Sequence, residues 1–269
     1  LAAMSDCPSP SASEVSAVNS LALGLGRRKL PTKDRAGART RTYTRATGRG
    51  LGVKYDKRIK HEFPPNVMRT DNMSKTVNDD GLDIIFRTAR TQNVWLDKPV
   101  EDALLKQVHD LAKFGPTSAN MCPMRIVFVK SKAAKEKLKP ALEAGNVDKT
   151  MNAPVTAIIG MDVHFFELMP KLFPPADAKA WFKDLPEPAL EAIALRNSSL
   201  QGAYFMLAAR SLGLDCGPMS GFNNKKVDET FFAGTTIKSN FLCNLGHGDP
   251  SKLYPRLPRL SFDEVCKVV

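Results

Sequence analysis

The chain has 269 residues, 43% hydrophobic and 25% charged, with 19 Pro and 17 Gly, a composition that suits a globular protein of one or two domains. Its longest uninterrupted apolar run, Ala203 to Ala209, falls far short of the roughly 20 residues a membrane-spanning helix needs. The net charge of +11 sits mostly in residues 1–72, which hold 14 Lys+Arg against 6 Asp+Glu, so it does not mark the rest of the chain as a nucleic-acid binder.

Residues 1–72 are expected to form a disordered basic leader. Ser and Ala dominate its first twenty positions, and Arg27 to Arg49 carries nine Lys/Arg against the single acid Asp34. No apolar period persists, so little buried surface offsets the lost chain entropy. Three origins stay open: an organelle transit peptide, a basic arm that touches nucleic acid or an acidic surface, or a stretch outside the natural protein. The last is suggested by Leu1 at the start and by Met73, which opens MSKTVNDDGLDIIF. The globular domain is expected over 73–269.

Apolar Leu82, Ile84, Ile85, Phe86 and Ala89 predict a first helix over 81–93 that delivers the polar cluster Arg90-Thr91-Gln92-Asn93 at its C-terminal end. Pro99 suits the first turn of a second helix through Ala112, with Glu101 and Asp102 at its positive end and Gly115-Pro116 beyond it. A strand is predicted over 125–130, an amphipathic helix over 132–142, and a buried strand over 154–161. The Pro-rich stretch 170–188 reads as loop and short helix. A long helix then runs from Pro188 to about Leu212, capped by Gly213, and its apolar stretch Ala203 to Ala209 predicts burial all round. Residues 240–246 read as a strand and 262–269 as a short apolar tail. Helices mixed with a few strands favour an α+β fold over a doubly wound sheet.

Familiar chemical signatures are mostly missing. Gly246-His247-Gly248 follows a strand, but no third Gly stands at the right distance for a dinucleotide loop. Neither GxxxxGK[ST] nor GxSxG occurs. Five Cys without a CxxC pair, and only four His, leave little for a zinc site or a disulfide scaffold. No metal is therefore expected, and a reducing compartment such as the cytoplasm is the natural reading. Cys122 reads as a small filler or a reactive thiol.

Four polar clusters stand at the edges of regular elements: 89–93, Gly115 to Asn120, Gly217 to Phe222, and Arg256 to Ser261. Each alone is an ordinary cap or turn. Together they suggest an anionic, partly flat ligand, gripped by guanidinium groups at two ends.

The stretches ARTQNVW with Pro99-Val100, KFGPTSANMCPMRIVFV, LAARSLGLDCGPMSGF and KSNFLCNLGHGDPSKLYPRLPRLSFDEV carry a resemblance. In that order they make residues 84–269 similar to the FMN-dependent nitroreductase family, in particular its malonic semialdehyde reductase branch. The resemblance implies an α-β-α sandwich around a mainly antiparallel sheet, an intertwined homodimer, and FMN at the subunit interface with NADPH or NADH as co-substrate. It implies that Arg90 and Thr91, with Arg259 and Arg256, hold the phosphate and ribityl chain. Asn93 stands in the same cluster, where the family often has a basic residue. Pro116, Thr117, Ser118 and Asn120 would come from the partner subunit, with Cys122 in place of a common Gln. Pro218, Met219, Ser220 and Gly221 would pass beside the flavin ring, Ser220 and Gly221 nearest the chemistry. A small aldehyde such as malonic semialdehyde is the implied oxidant, and Arg125, Lys149 or Arg196 would meet its carboxylate. A broad nitroaromatic or quinone reductase is the close alternative; a nucleic-acid-binding protein acting through its basic arm is the distant one.

Overall fold

The computed structural model describes residues 76–269, and the expected leader lies outside them. Asn78 caps the first helix, α1 (Asp79–Leu82), its side chain accepting from the Gly81 N–H at 3.0 Å. A π-helical turn over Asp83–Arg87 follows, and there the helix stops. The predicted extension to residue 93 fails because Gln92 N donates to Cys216 O at 3.0 Å, drawing the polar cluster out as extended chain. Helix α2 (Asp102–Ala112) matches its forecast, except that Pro99 and Val100 precede it rather than forming its first turn.

Strand β1 (Met124–Val129) leads into α3 (Lys132–Leu138), capped by Ser131. This helix ends short of Leu142: Pro140 supplies no N–H, and Lys139–Ala141 tightens into a 3-10 turn. Next come α4 (Ala144–Met151), β2 (Val155–Asp162), α5 (Met169–Leu172) and the 25-residue α6 (Glu187–Ser211). Strand β3 (Asp215–Met219), α7 (Asn224–Phe231), β4 (Ile237–Gly246) and α8 (Phe262–Val265) complete the chain. Gly213, at φ +79, lets the chain leave α6: its N–H meets Arg210 O at 3.0 Å, and Leu214 N meets Ala209 O at 3.0 Å.

The strands form one antiparallel sheet in the order β1-β2-β4-β3. Its two faces follow from strict alternation. Met124, Ile126 and Phe128 of β1, Val155, Ala157 and Ile159 of β2, Cys216 of β3, and Cys243 and Leu245 of β4 turn toward α2 and α6. Val129, Ile158, Met219 and Leu242 turn the other way, toward α3 and α7. Each fully buried Leu, Ile or Phe contributes about 1.5–3 kcal/mol, and a one-residue slip would move a whole set to the wrong layer. The result is the expected helix–sheet–helix sandwich. A further expectation fails: Ala203 and Tyr204 of α6 face outward, with Tyr204 42% exposed, because the sheet covers only one side of the helix.

Candidate active site

A cavity of about 740 Å³ lies where the segment after α1 meets the C-terminal arm. Its wall includes Arg90, Thr91, Asn93, Arg210, Arg256 and Arg259, with no carboxylate among the lining residues. Two arginines lace the walls together. Arg90 Nη2 donates to Tyr254 O, while Arg256 Nη2 donates to Arg87 O at 2.8 Å and Ala89 O at 3.0 Å. Arg259 Nη1 caps Leu257 O and Pro258 O, both at 3.0 Å, and its Nε and Nη2 have no hydrogen-bond partner among the described residues. Four guanidinium groups without a balancing acid make a donor set that fits a phosphate dianion.

The same segment is tied to the sheet. Thr91 bridges Cys216 in parallel, and the Gln92 side chain packs against Gly248. Gly217 permits this approach, since a Cβ there would stand 2.6 Å from Gln92 O. Gly248 N also donates to Asp215 Oδ2 at 2.9 Å, so the Gly246-His247-Gly248 stretch is a strap rather than a nucleotide loop.

A shallower cavity of about 370 Å³ is walled by Ser199, Ala203, Met206, Pro218, Met219, Ser220 and Phe241, none of them charged. Ser199, Ala203 and Met206 of α6, followed by Arg210 in the first cavity, recur at steps of four, three and four, which places them on one helix face. Eleven residues of helix separate the two ends by about 16 Å. The two cavities therefore lie end to end along α6 and β3. The Gly221 carbonyl accepts from Asn146 Nδ2 at 2.6 Å and from Glu143 N at 3.1 Å, which fixes the Gly221–Phe222 peptide, and Phe222 N donates to Ser220 O at 2.9 Å, although Gly221 itself lines neither cavity.

Pro116, Thr117, Ser118 and Asn120 line neither cavity. Ser118 N donates to Asn197 Oδ1 at 2.8 Å, Asn120 Nδ2 donates to Leu172 O at 2.8 Å, and Thr117 Oγ1 accepts from Cys122 N at 3.1 Å. Asn197 stands thirteen residues before Arg210, about 20 Å along α6. The loop holds Ala119, Asn120 and Cys122 at φ +48, +52 and +42, a strained geometry of the kind that clusters at functional sites. Arg125 braces it, pairing with Asp162 Oδ2 at 2.8 Å while donating to Cys122 O at 3.0 Å.

Beneath β3 lies a polar network. Lys135 donates to Thr150 O at 2.7 Å and Thr156 Oγ1 at 2.6 Å; Thr156 Oγ1 in turn donates to Asn244 Oδ1 at 2.6 Å. Thr150 Oγ1 reaches Met219 Sδ at 3.4 Å. Burial without a carboxylate partner lowers the Lys135 pKa to about 8. Sequence reasoning missed both this lysine and Arg210. A lone arginine ending the apolar turn after Ala203 was the signal for the second; nothing in the spacing marked the first.

Comparison with known proteins adds the last link. Residues 87–247 match the nitroreductase family. A protein of Stenotrophomonas maltophilia that carries the provisional name NADH dehydrogenase/NAD(P)H nitroreductase is 64% identical over 196 residues, 73% of this chain and 100% of that one. A Burkholderia lata protein with the same provisional name is 61% identical over 193 residues, 72% of this chain and 98% of the relative. Among solved structures, a Bacillus subtilis protein provisionally named a nitroreductase superposes with TM-score 0.66 at 20% identity, covering 71% of this chain and 100% of its own. An Exiguobacterium sibiricum protein with the same provisional name, in complex with FMN, gives 0.63 at 20% identity, covering 72% and 99%. These two share the fold. The family match and the close relatives establish that the chain belongs to the nitroreductase family, NAD(P)H-dependent flavin oxidoreductases that use FMN.

Proposed function

We propose that this chain reduces flat, electron-poor acceptors such as nitroaromatics and quinones with NAD(P)H. The observation that carries the reading is the pairing of an acid-free arginine cavity with an uncharged shallow cavity along one face of α6. The relatives' provisional nitroreductase names point the same way. Arg90, Arg256 and Arg259 hold the FMN phosphate, while Thr91 and Asn93 meet the ribityl chain. Pro218, Met219, Ser220 and Gly221 border the ring. When bound, the flavin supplies two-electron hydride chemistry between NAD(P)H and the acceptor. Met206, Pro218 and Phe241 exclude water from one side, and the exposed Ser220 hydroxyl offers a donor to the acceptor's oxygen. The Phe222 N–H bond to Ser220 O and the fixed Gly221–Phe222 peptide keep that donor in place.

The site is completed by a second copy of the chain in this reading. Phe114 is 76% exposed and Leu257 74%, and Leu195, Leu200, Leu260 and Phe262 are open as well. Exposed apolar side chains on that scale support the reading of an association face. Pro116, Thr117, Ser118 and Asn120 then line the partner's flavin.

A second reading is kept for one observation. Reduction of malonic semialdehyde needs a cation for its carboxylate. Arg125 is engaged by Asp162, and Lys149 borders a different groove, but Arg196 is exposed on α6 one turn before Ser199. Purified enzyme should show a kcat/KM on nitrofurazone at least tenfold above that on malonic semialdehyde. The opposite order would replace the first reading with the second, and a chain that neither retains nor takes up FMN would defeat both.

A further inference from the structure

Ser220 borders the shallow cavity between two residues that are held by one helix. Before it, Met219 Sδ accepts from Thr150 Oγ1 at 3.4 Å; after it, Gly221 O accepts from Asn146 Nδ2 at 2.6 Å. Asn146 and Thr150 stand four residues apart on α4, so a single face of that helix grips both sides of the serine. The grip matters most for Met219. A methionine side chain has three soft torsions and adapts to whatever lies beside it, so an unheld one makes a pliable wall.

The buried network beneath β3 holds α4 in turn. Lys135 Nζ donates to Thr150 O at 2.7 Å, in the last turn of α4, where a cation offsets the negative pole of the helix. Its bond to Thr156 Oγ1 also sets a direction. An ammonium only donates, so Thr156 turns its own hydrogen to Asn244 Oδ1 at 2.6 Å. The Asn244 amide then presents Nδ2 to Lys149 O at 3.1 Å and to Thr150 Oγ1 at 3.4 Å, which leaves the Thr150 hydrogen for Met219 Sδ. Each hydrogen from the lysine to the methionine points the same way, and buried chains of this kind polarise and strengthen their members. Both acceptors of the ammonium are neutral, so the charge costs stability that an apolar residue of similar volume would spare. Packing alone does not call for a lysine here.

On the reading that the shallow cavity receives the acceptor, we propose that Lys135 is a positioning residue for acceptor binding: it docks α4 and orients Thr150, and so holds the Met219 side chain in one conformation beside Ser220. The cavity wall then keeps one shape whether or not an acceptor is present. Loss of the hold is felt when the acceptor binds, because Met219 must be ordered at that moment.

Two readouts test it on the full chain. The first is the Met219 methyl signal in protein with isotope-labelled methionine methyl groups, identified by its loss in Met219→Leu. Its carbon shift reports whether the last side-chain torsion is fixed or averaged. Wild type should be displaced from the averaged value. Thr150→Val and Lys135→Leu should bring the signal back to that value, while Thr150→Ser, which keeps the hydroxyl, should leave it displaced. The second readout is reduction of nitrofurazone by the FMN-loaded enzyme. Thr150→Val and Lys135→Leu should raise KM about 2- to 12-fold, the worth of one neutral hydrogen bond, with kcat within about twofold, and Thr150→Ser should restore KM. A methyl shift indifferent to both Thr150→Val and Lys135→Leu would mean that packing alone holds Met219, and would overturn the proposal. A shift that responds to Thr150→Val but not to Lys135→Leu would remove the lysine from the device and overturn it equally. So would an unchanged KM, or losses that follow the urea midpoint and are not rescued by Thr150→Ser. If wild type neither takes up FMN nor reduces nitrofurazone, the underlying reading fails and the acceptor role with it, while the methyl shift still decides whether Lys135 holds Met219.

Discussion

The Ser118 N–H and the Asn197 carboxamide are joined at 2.8 Å, and Asn197 is only 1% exposed. A second amide one turn later repeats the grip: Gln201 Oε1 accepts from Met124 N at 3.0 Å. The strained loop therefore hangs from α6 at both ends, and Arg125 holds its middle from the sheet side. Left-handed backbone at three non-glycine residues persists only under such constraint.

Asn197→Ala removes the acceptor for Ser118 and the donor to Ile193 O. The expected cost is about 1–3 kcal/mol in urea unfolding, from two lost hydrogen bonds at about 0.5–1.5 kcal/mol each. If the loop lines a flavin ring in the partner subunit, FMN and riboflavin affinities should fall by the same factor. Lower stability with both affinities intact would detach the loop from the flavin site.

Gly217→Ala tests how the 90–93 segment reaches the sheet. A Cβ at that position meets Gln92 O at 2.6 Å and Trp95 Cζ2 at 3.2 Å. The first obstacle is backbone and cannot rotate away. The substitution should cost roughly 1–3 kcal/mol by forcing the segment off β3. Because Thr91 and Arg90 move with it, FMN affinity should drop more than the affinity for riboflavin. A variant as stable as wild type, with an unchanged flavin profile, would show that the segment can leave β3 without consequence.

What could be read in advance follows the physics of each signal. The buried strand at 154–161 and the long helix ending at Gly213 were legible because apolar period and a positive-φ cap are local features. The first helix was overextended because its end is set by a contact with Cys216, more than a hundred residues away. Helices α4 and α7 escaped notice since their sequences, AGNVDKTM and NKKVDETF, carry only one buried position each. In the site, Arg90 and Arg256 were legible as charges in polar clusters. That they clamp each other's segments was not, because each bond ends on a carbonyl, and carbonyls carry no sequence signature.

Lys135 gives the pH prediction. The side chain is 3% exposed and meets only neutral acceptors, Thr150 O and Thr156 Oγ1, so burial lowers its pKa from 10.5 to about 8. Below pH 8 the folded chain carries a buried charge whose desolvation opposes folding in full. Between about pH 8 and 10.5 the folded lysine is neutral while the unfolded one still holds its proton, so this group makes stability rise with pH across that window. Other groups titrate there too, and comparison with Lys135→Met removes them. From pH 7 to pH 10, wild type should gain on the order of 2–3 kcal/mol relative to the variant in urea unfolding, at about 1.4 kcal/mol per pH unit. A constant difference across that range would mean that the amine stays protonated in the fold. Its bonds to Thr150 O and Thr156 Oγ1, with the further bond from Thr156 to Asn244, would then outweigh its desolvation.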